Sequence, residues 1–236
     1  MKKIMFNDRY GLTQAVLDGK KTMTRRLMTM TLHRENGKDM DSVVPDDMFI
    51  ATDGTAHFQI GGKDYIVPKK NQPAYHVGEE VAIAQAYQTI RCPANCWKTV
   101  TDRAAHSKGW TNKMFVKAWY MPHRIRITGI KVERLQDISE EDCVKEGIVP
   151  TTWRQWLEQD INDLSPQKYK DWDVWTLPKF IDGLSEPWKE SDPDEYIAKE
   201  PRTAFAVLIS KLMGRNTWER NPWVYAYEFK LLKYRD

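Results

Sequence analysis

The chain has 236 residues, enough for one large domain or for a single core carrying long insertions. Its 41% apolar and 29% charged content excludes a disordered chain. A net charge of only +3 excludes nucleic-acid binding by bulk attraction, so any such binding has to come from a local patch. No apolar run approaches the roughly 20 residues a membrane helix needs, and no membrane partner is expected. The opening Met1–Gly11 segment has two lysines but no apolar stretch of roughly 7–15 residues, so no signal peptide is expected. Three cysteines are an odd, sparse set that suits a cytoplasmic location. Ten tryptophans can serve packing or stacking against bases.

In chain order, Lys3–Phe6 reads as a short strand, and Asn7 or Asp8 as the cap of a helix running to Asp18. Leu12, Ala15 and Val16 share a face of that helix, and Gly19 stands where it stops. Thr22–Met28 is β-like, with Thr22, Thr24 and Arg26 on one side. Residues 29–74 are polar and turn-rich; Phe49-Ile50 and Phe58–Ile60 around Asp53-Gly54 predict a hairpin, hence a β-rich insertion. Val81–Tyr87 is a strand and residues 88–113 a loop. His123–Arg134 is a strong strand whose apolar positions change parity after Gly129, the mark of a β-bulge. Ser139 caps a short helix, with Asp142 placed for a capping box and Gly147 closing it. Residues 149–200 are acidic and Trp-rich (Trp153, Trp156, Trp172, Trp175, Trp188), which predicts a helical insertion that serves as a lid, as a surface for a protein partner or as a mimic of nucleic-acid charge. Pro201 opens a helix with Phe205, Leu208, Ile209 and Leu212 on one face, and a last strand alternates Trp223, Tyr225, Tyr227 and Phe229 with smaller residues. Several strands, few helices and a bulge predict an α+β fold built on a small β-barrel with flanking short helices.

The nonapeptide Asp18–Arg26 concentrates Lys20, Lys21, Arg25 and Arg26 with two threonines, directly after a helix. It reads as the wall of a pocket for something anionic or rich in hydrogen bonds. Arg124, Arg126, Lys131 and Arg134 add a basic strand face. Together with the nonapeptide they can follow a phosphate backbone or form a plain solvated rim. Trp119, Tyr120 and His123 fit the core better than base stacking. Cys92 and Cys96, even with His106 and Cys143, lack zinc-knuckle spacing, and no Walker or Rossmann glycine pattern is present; no metal and no cofactor are expected.

The blocks Ala15–Arg26, Tyr75–Tyr87, His123–Ile148 and Thr203–Leu232, in this order, resemble the ASCH family, and the layout is similar to larger phage and prophage members. The resemblance implies a PUA-like barrel, here one domain with insertions at 29–74 and 149–200, whose cleft recognises RNA or a nucleotide. One branch of that family is an amidohydrolase that removes the acyl group from N4-acetylcytidine. Gly19-Lys20-Lys21-Thr22-Met23-Thr24-Arg25-Arg26 is similar to its motif without a gap, and the stretch from Leu135 to Glu146 to its second region. The resemblance thus assigns catalysis to Lys21, Thr24 and Glu146, with Arg26 as a pocket residue. Ala84-Gln85 depart from the arginine and glutamate of many phage relatives.

Such chemistry needs a desolvated lysine as base, a threonine nucleophile and a carboxyl that serves the leaving nitrogen. On a regular strand Lys21 and Thr24 point to opposite faces, so they converge only if Lys21 lies in the helix-to-strand turn. Three readings stand open: a binding module for RNA or a modified nucleoside, the amidohydrolase, and a ribonuclease using the same basic cleft without a histidine pair. Lys20, Arg25, Arg26, Arg124 and Arg126 are the candidate binding residues in all three.

Overall fold

The computed structural model describes residues 1–28, 45–90, 106–152, 173–176, 198 and 200–232. The fold is α+β. A five-stranded mixed sheet runs in the order β1 (Lys3–Ile4), β6 (Glu80–Ile83), β7 (Arg124–Arg134), β10 (Trp223–Leu232) and β2 (Met23–Leu27). Only the β1–β6 pair is parallel. The centre of the sheet is the long β7–β10 ladder. It pairs Glu228 with Gly129 but Phe229 with Ile127, skipping Thr128. The bulge therefore sits where the parity change placed it, and it keeps Ile125, Ile127, Ile130 and Val132 on the side of Tyr225, Tyr227 and Phe229.

β3 (Asp47–Ile50), β4 (Ala56–Ile60) and β5 (Lys63–Ile66) form a separate antiparallel meander. Gly54 takes a left-handed φ of 83° in its first turn, where the Asp53 carboxylate accepts from the Thr55 amide. Met48, Ala56 and Phe58 from this meander join the core of the large sheet.

Two expectations need correction. The first helix, α1, spans Leu12–Leu17 rather than starting after Asn7 or Asp8. The Asn7 side chain caps a turn instead, accepting from the amides of Arg9 and Tyr10, and Gly11 takes the N-cap in a left-handed conformation. The described parts of 149–200 are strands, not helices: β8 (Val149–Thr152) pairs with β9 (Asp173–Thr176), and Trp175 bridges Ala198. Local acidity and tryptophan content carry no periodicity, so they could not distinguish the two. Trp153, Trp156, Trp172 and Trp188 lie outside the described residues. β1 and β2 are the two edges of the sheet and do not pair with each other among the described residues.

The edges nevertheless come together. Arg26 on β2 donates to the Met5 carbonyl just past β1 at 2.6 Å. The gap is lined by α3 (Pro201–Met213), which packs against α2 (Glu140–Lys145) and α4 (Thr217–Arg220). Among the described residues no helix is long and apolar enough to cross a membrane.

Candidate functional site

The turn between α1 and β2 decides the site. Gly19 has a left-handed φ of 73°, which only glycine adopts at little cost. It lets the amides of Lys20 and Lys21 both fold back onto the Ala15 carbonyl at 2.9 Å. Lys21 is therefore not yet in the strand, which begins at Met23, and its side chain escapes the strand's alternation. Lys21 and Thr24 end up lining the same cavity, of about 280 Å³, together with Arg25, Arg26 and Glu146.

Glu146 is delivered from the other side. It is the C-cap of α2, whose N-terminus is held by Ser139 accepting from the Asp142 amide, and Gly147 turns the chain with φ 101°. Lys21 Nζ donates to Glu146 Oε2 at 2.5 Å and to the Glu146 carbonyl at 2.6 Å. Lys21 is only 2% exposed. Burial pushes its ammonium below the ordinary lysine value; Glu146 works against this, while Arg26 and Arg25 add to it.

Arg25 holds the carboxylates in place. Its Nε donates to Glu133 at 2.7 Å, Nη1 to Glu146 at 3.1 Å and Nη2 to Asp142 at 2.8 Å, and its guanidinium lies over the Phe205 ring. Burial alone would lower its pKa, but Glu146, Glu133 and Asp142 together raise it. Lys131 closes the network on Asp142 at 2.6 Å and on Glu133 at 2.9 Å. Asp142 pays for partial desolvation, yet Lys131 and Arg25 hold its carboxyl below the usual carboxylate value. Arg25 therefore lines the cavity but spends its donors on carboxylates. It is a positioning residue for Glu146 rather than a group free to grip a ligand.

The remaining walls are Met5, Phe6 and Asn7 after β1, Leu12 of α1, and Leu208, Ile209, Leu212 and Met213 of α3. Phe6 lies beneath two cations, with Lys21 and Arg26 each 5.9 Å from its ring centre. The Thr24 hydroxyl makes no hydrogen bond among the described residues, and it is not bonded to Lys21. The cavity thus presents a fixed Lys–Glu pair, a half-buried arginine, an unengaged hydroxyl and an apolar wall.

Not all candidate residues gather here. Lys20 is exposed and outside the cavity lining. Arg124 and Arg126 lie on the far half of β7 and face Glu80, at 4.0 and 2.7 Å, so they do not extend the cavity into a continuous basic stripe. Arg134 stacks over Trp223 at 4.4 Å. Trp119 and Tyr120, expected in the core, are 64% and 44% exposed, with Lys117 Nζ 4.9 Å from the Trp119 ring centre. Their short 3-10 turn is anchored by Val116 and Met121 instead, which leaves the rings outside.

Sequence reasoning missed Glu133, the charged role of Asp142, and Phe6. The parity change at Gly129 was a usable signal for Glu133, because it moves Lys131 and Glu133 to the face that carries Arg25. Among the described residues no three His, Cys, Asp or Glu side chains gather as metal ligands. Cys143 is buried, with its thiol pushed up to about 12 mainly by desolvation, and Cys92 and Cys96 lie outside the described residues. No family model matches the chain, and no curated protein or solved structure matches it either.

Proposed function

We propose that the Lys21–Glu146 cavity binds a single nucleobase, as a free or modified nucleoside or as one base of an RNA, and that cytosine is the base it fits. One observation carries this reading: a buried lysine and a buried carboxylate stand side by side at 2.5 Å in a cavity of about 280 Å³. A site that follows a phosphate backbone keeps its cations in water, where they release counterions. Lys21 is withdrawn from water and already paired. A paired donor and acceptor suits the edge of a base: the carboxylate accepts from the cytosine amino group and the ammonium donates to its ring acceptors. Phe6 and the α3 side chains supply the apolar faces, and the open donors of Arg26 supply the rim. In this reading the near approach of β1 and β2 corresponds to the mouth of a PUA-like barrel of the ASCH type.

A second reading, hydrolysis of N4-acylcytidine, is favoured by two features of the same cavity. Burial pushes Lys21 towards its neutral, basic form, and the Thr24 hydroxyl is unengaged. Lys21 accepts the Thr24 proton as the oxygen attacks the acyl carbon. The carbon–N4 bond breaks as the proton taken by Lys21 passes through its partner Glu146 to the leaving nitrogen, and water then hydrolyses the threonine ester, releasing the acid and restoring the Thr24 hydroxyl. Arg25 keeps Glu146 in place throughout.

Calorimetric titration with cytidine, N4-acetylcytidine and a ten-residue RNA tests both readings, with ultraviolet absorbance following deacylation. Cytidine binding lost in Lys21→Ala is expected. Binding of RNA with a steep salt slope and no response to Lys21→Ala overturns the pocket reading. N4-acetylcytidine that binds but is not consumed confines the site to recognition.

A further inference from the structure

The stretch from His106 to Val132 carries six lysines and arginines and no acidic residue. Lys113, Arg124, Arg126 and Lys131 each find a carboxylate elsewhere in the fold. Lys108 and Lys117 find none among the described residues. Both are exposed, and each sits at an aromatic ring instead. Lys108 Nζ is 5.7 Å from the Phe115 ring centre, and Lys117 Nζ is 4.9 Å from that of Trp119.

The backbone holds these rings outward. Lys3 donates to the carbonyls of Lys113, Met114 and Val116 at 3.2, 2.6 and 2.8 Å, which ties the loop to β1. Val116 and Met121 are buried against Ala82 and Ala84. Tyr87 is seated on Gly109: its amide donates to the Gly109 carbonyl at 3.0 Å, and a Cβ on that glycine would stand 2.7 Å from its ring. Tyr87 then meets Tyr120 edge-on with centroids 6.2 Å apart, and Tyr120 meets Trp119 at 5.9 Å. Phe115, Trp119 and Tyr120 thus face solvent from a loop that is pinned on several sides. Exposed rings gathered on a pinned loop mark a surface for a partner.

Charge defines that partner. It has to bring flat apolar faces for the rings and negative charge for the ammoniums, side by side. A single nucleic-acid strand repeats one base and one phosphate per unit. A membrane fits less well, because each ammonium stands at a ring and would have to follow it into hydrocarbon. None of Lys108, Phe115, Lys117, Trp119 and Tyr120 lines the Lys21 cavity. They also lie between the blocks Tyr75–Tyr87 and His123–Ile148, outside the family resemblance.

We propose that Phe115, Trp119 and Tyr120, with Lys108 and Lys117, form a stacking platform for a single-stranded nucleic acid, separate from the Lys21 cavity and independent of what that cavity binds. Bases stack on the rings, and the two ammoniums meet the phosphates between them.

Fluorescence anisotropy of a labelled ten-residue oligouridine, which offers no cytosine to the Lys21 cavity, tests the platform on the full chain. Saturable binding is expected, with a shallow salt dependence: two ammoniums give a slope of log K against log salt of about −1.4. Trp119→Ala is expected to weaken binding about tenfold, the loss of one base stack, with Tm unchanged because the ring is exposed. Trp119→Phe is expected to restore most of that loss. Lys117→Gln is expected to make the slope shallower by about 0.7. Lys21→Ala is expected to leave the curve in place. An oligodeoxyuridine of the same length separates the two sources: tighter binding of one assigns the platform to that sugar, and equal binding assigns it to either. No binding of either strand at about 50 mM salt overturns the proposal. So does binding that Trp119→Ala leaves intact, or binding that Lys21→Ala abolishes. Anionic phospholipid vesicles that bind the protein through Trp119, while both strands are ignored, assign the face to a membrane and overturn it as well.

Discussion

Two stretches of this chain put cations on strands of the same sheet, and burial separates their fates. Arg124 and Arg126 meet Glu80 at the surface, with side chains 29% and 45% exposed. Arg25 meets three carboxylates with its side chain fully buried, beside Lys21 at 1%. The surface pairs gain little, since water screens them and long side chains lose freedom to form them. The buried set is held by geometry: Asp142 and Glu146 are nearly sealed from water, so each needs a cation beside it. A basic strand becomes a site only where a helix and a sheet edge cover it.

The comparison can be broken first at Arg25. Arg25→Ala leaves Glu133, Asp142 and Glu146 facing one another without their shared cation, and it is expected to cost about 3–5 kcal/mol in urea denaturation. Arg25→Lys is expected to recover only part of this, because a point charge cannot reach three carboxylates at once. A loss no larger than that of a surface pair would show that the network is not a structural unit.

Asp142 sharpens the comparison through pH. Its carboxyl is held below the ordinary value of 3.8, so the stability it confers is complete above that value. That stability is lost as pH falls further, through the lower folded-state pKa. Asp142→Asn is expected to cost about 1–3 kcal/mol at neutral pH and to flatten the acid limb of a plot of Tm against pH. An acid limb identical to that of the parent would assign the loss to other carboxylates.

Gly19→Ala tests the turn. A Cβ there meets nothing within 4 Å, so the expected cost of about 1–2 kcal/mol is the backbone's alone. Because that turn aims Lys21, the variant is also expected to weaken cytidine binding more than its stability loss explains, by calorimetry on the folded protein. The smallest effect is expected at the surface: Arg126→Ala changes stability by less than about 1 kcal/mol, and added salt shrinks the change further.

Much of the fold is legible in the residues. Alternation gives β7 and β10, the parity change at Gly129 gives the bulge, and Pro201 with its apolar spacing gives α3, because these are local periodicities that neighbouring packing reinforces. The same is true of Ser139 and Gly147 around α2. The motif from Lys21 to Arg26 and the position of Glu146 are also legible as separate segments. Their meeting is legible in neither segment and is implied only by the family resemblance, since it joins residues 125 positions apart. The helical reading of 149–200 fails in its described parts because composition there has no period. Trp119 and Tyr120 fail because a short 3-10 turn buries Val116 and Met121 in their place.

The sequence by itself determined that Gly19 stands where α1 stops and that Thr24 and Arg26 follow on one short strand. Only the tertiary structure decided which cations are sealed from water and which stay in it. Sealing depends on α2 bringing Glu146 and Asp142 to one face of β2 while Phe6 and α3 line the gap between the sheet edges. Desolvation is a property of everything packed around a charge, and no local stretch of residues encodes it.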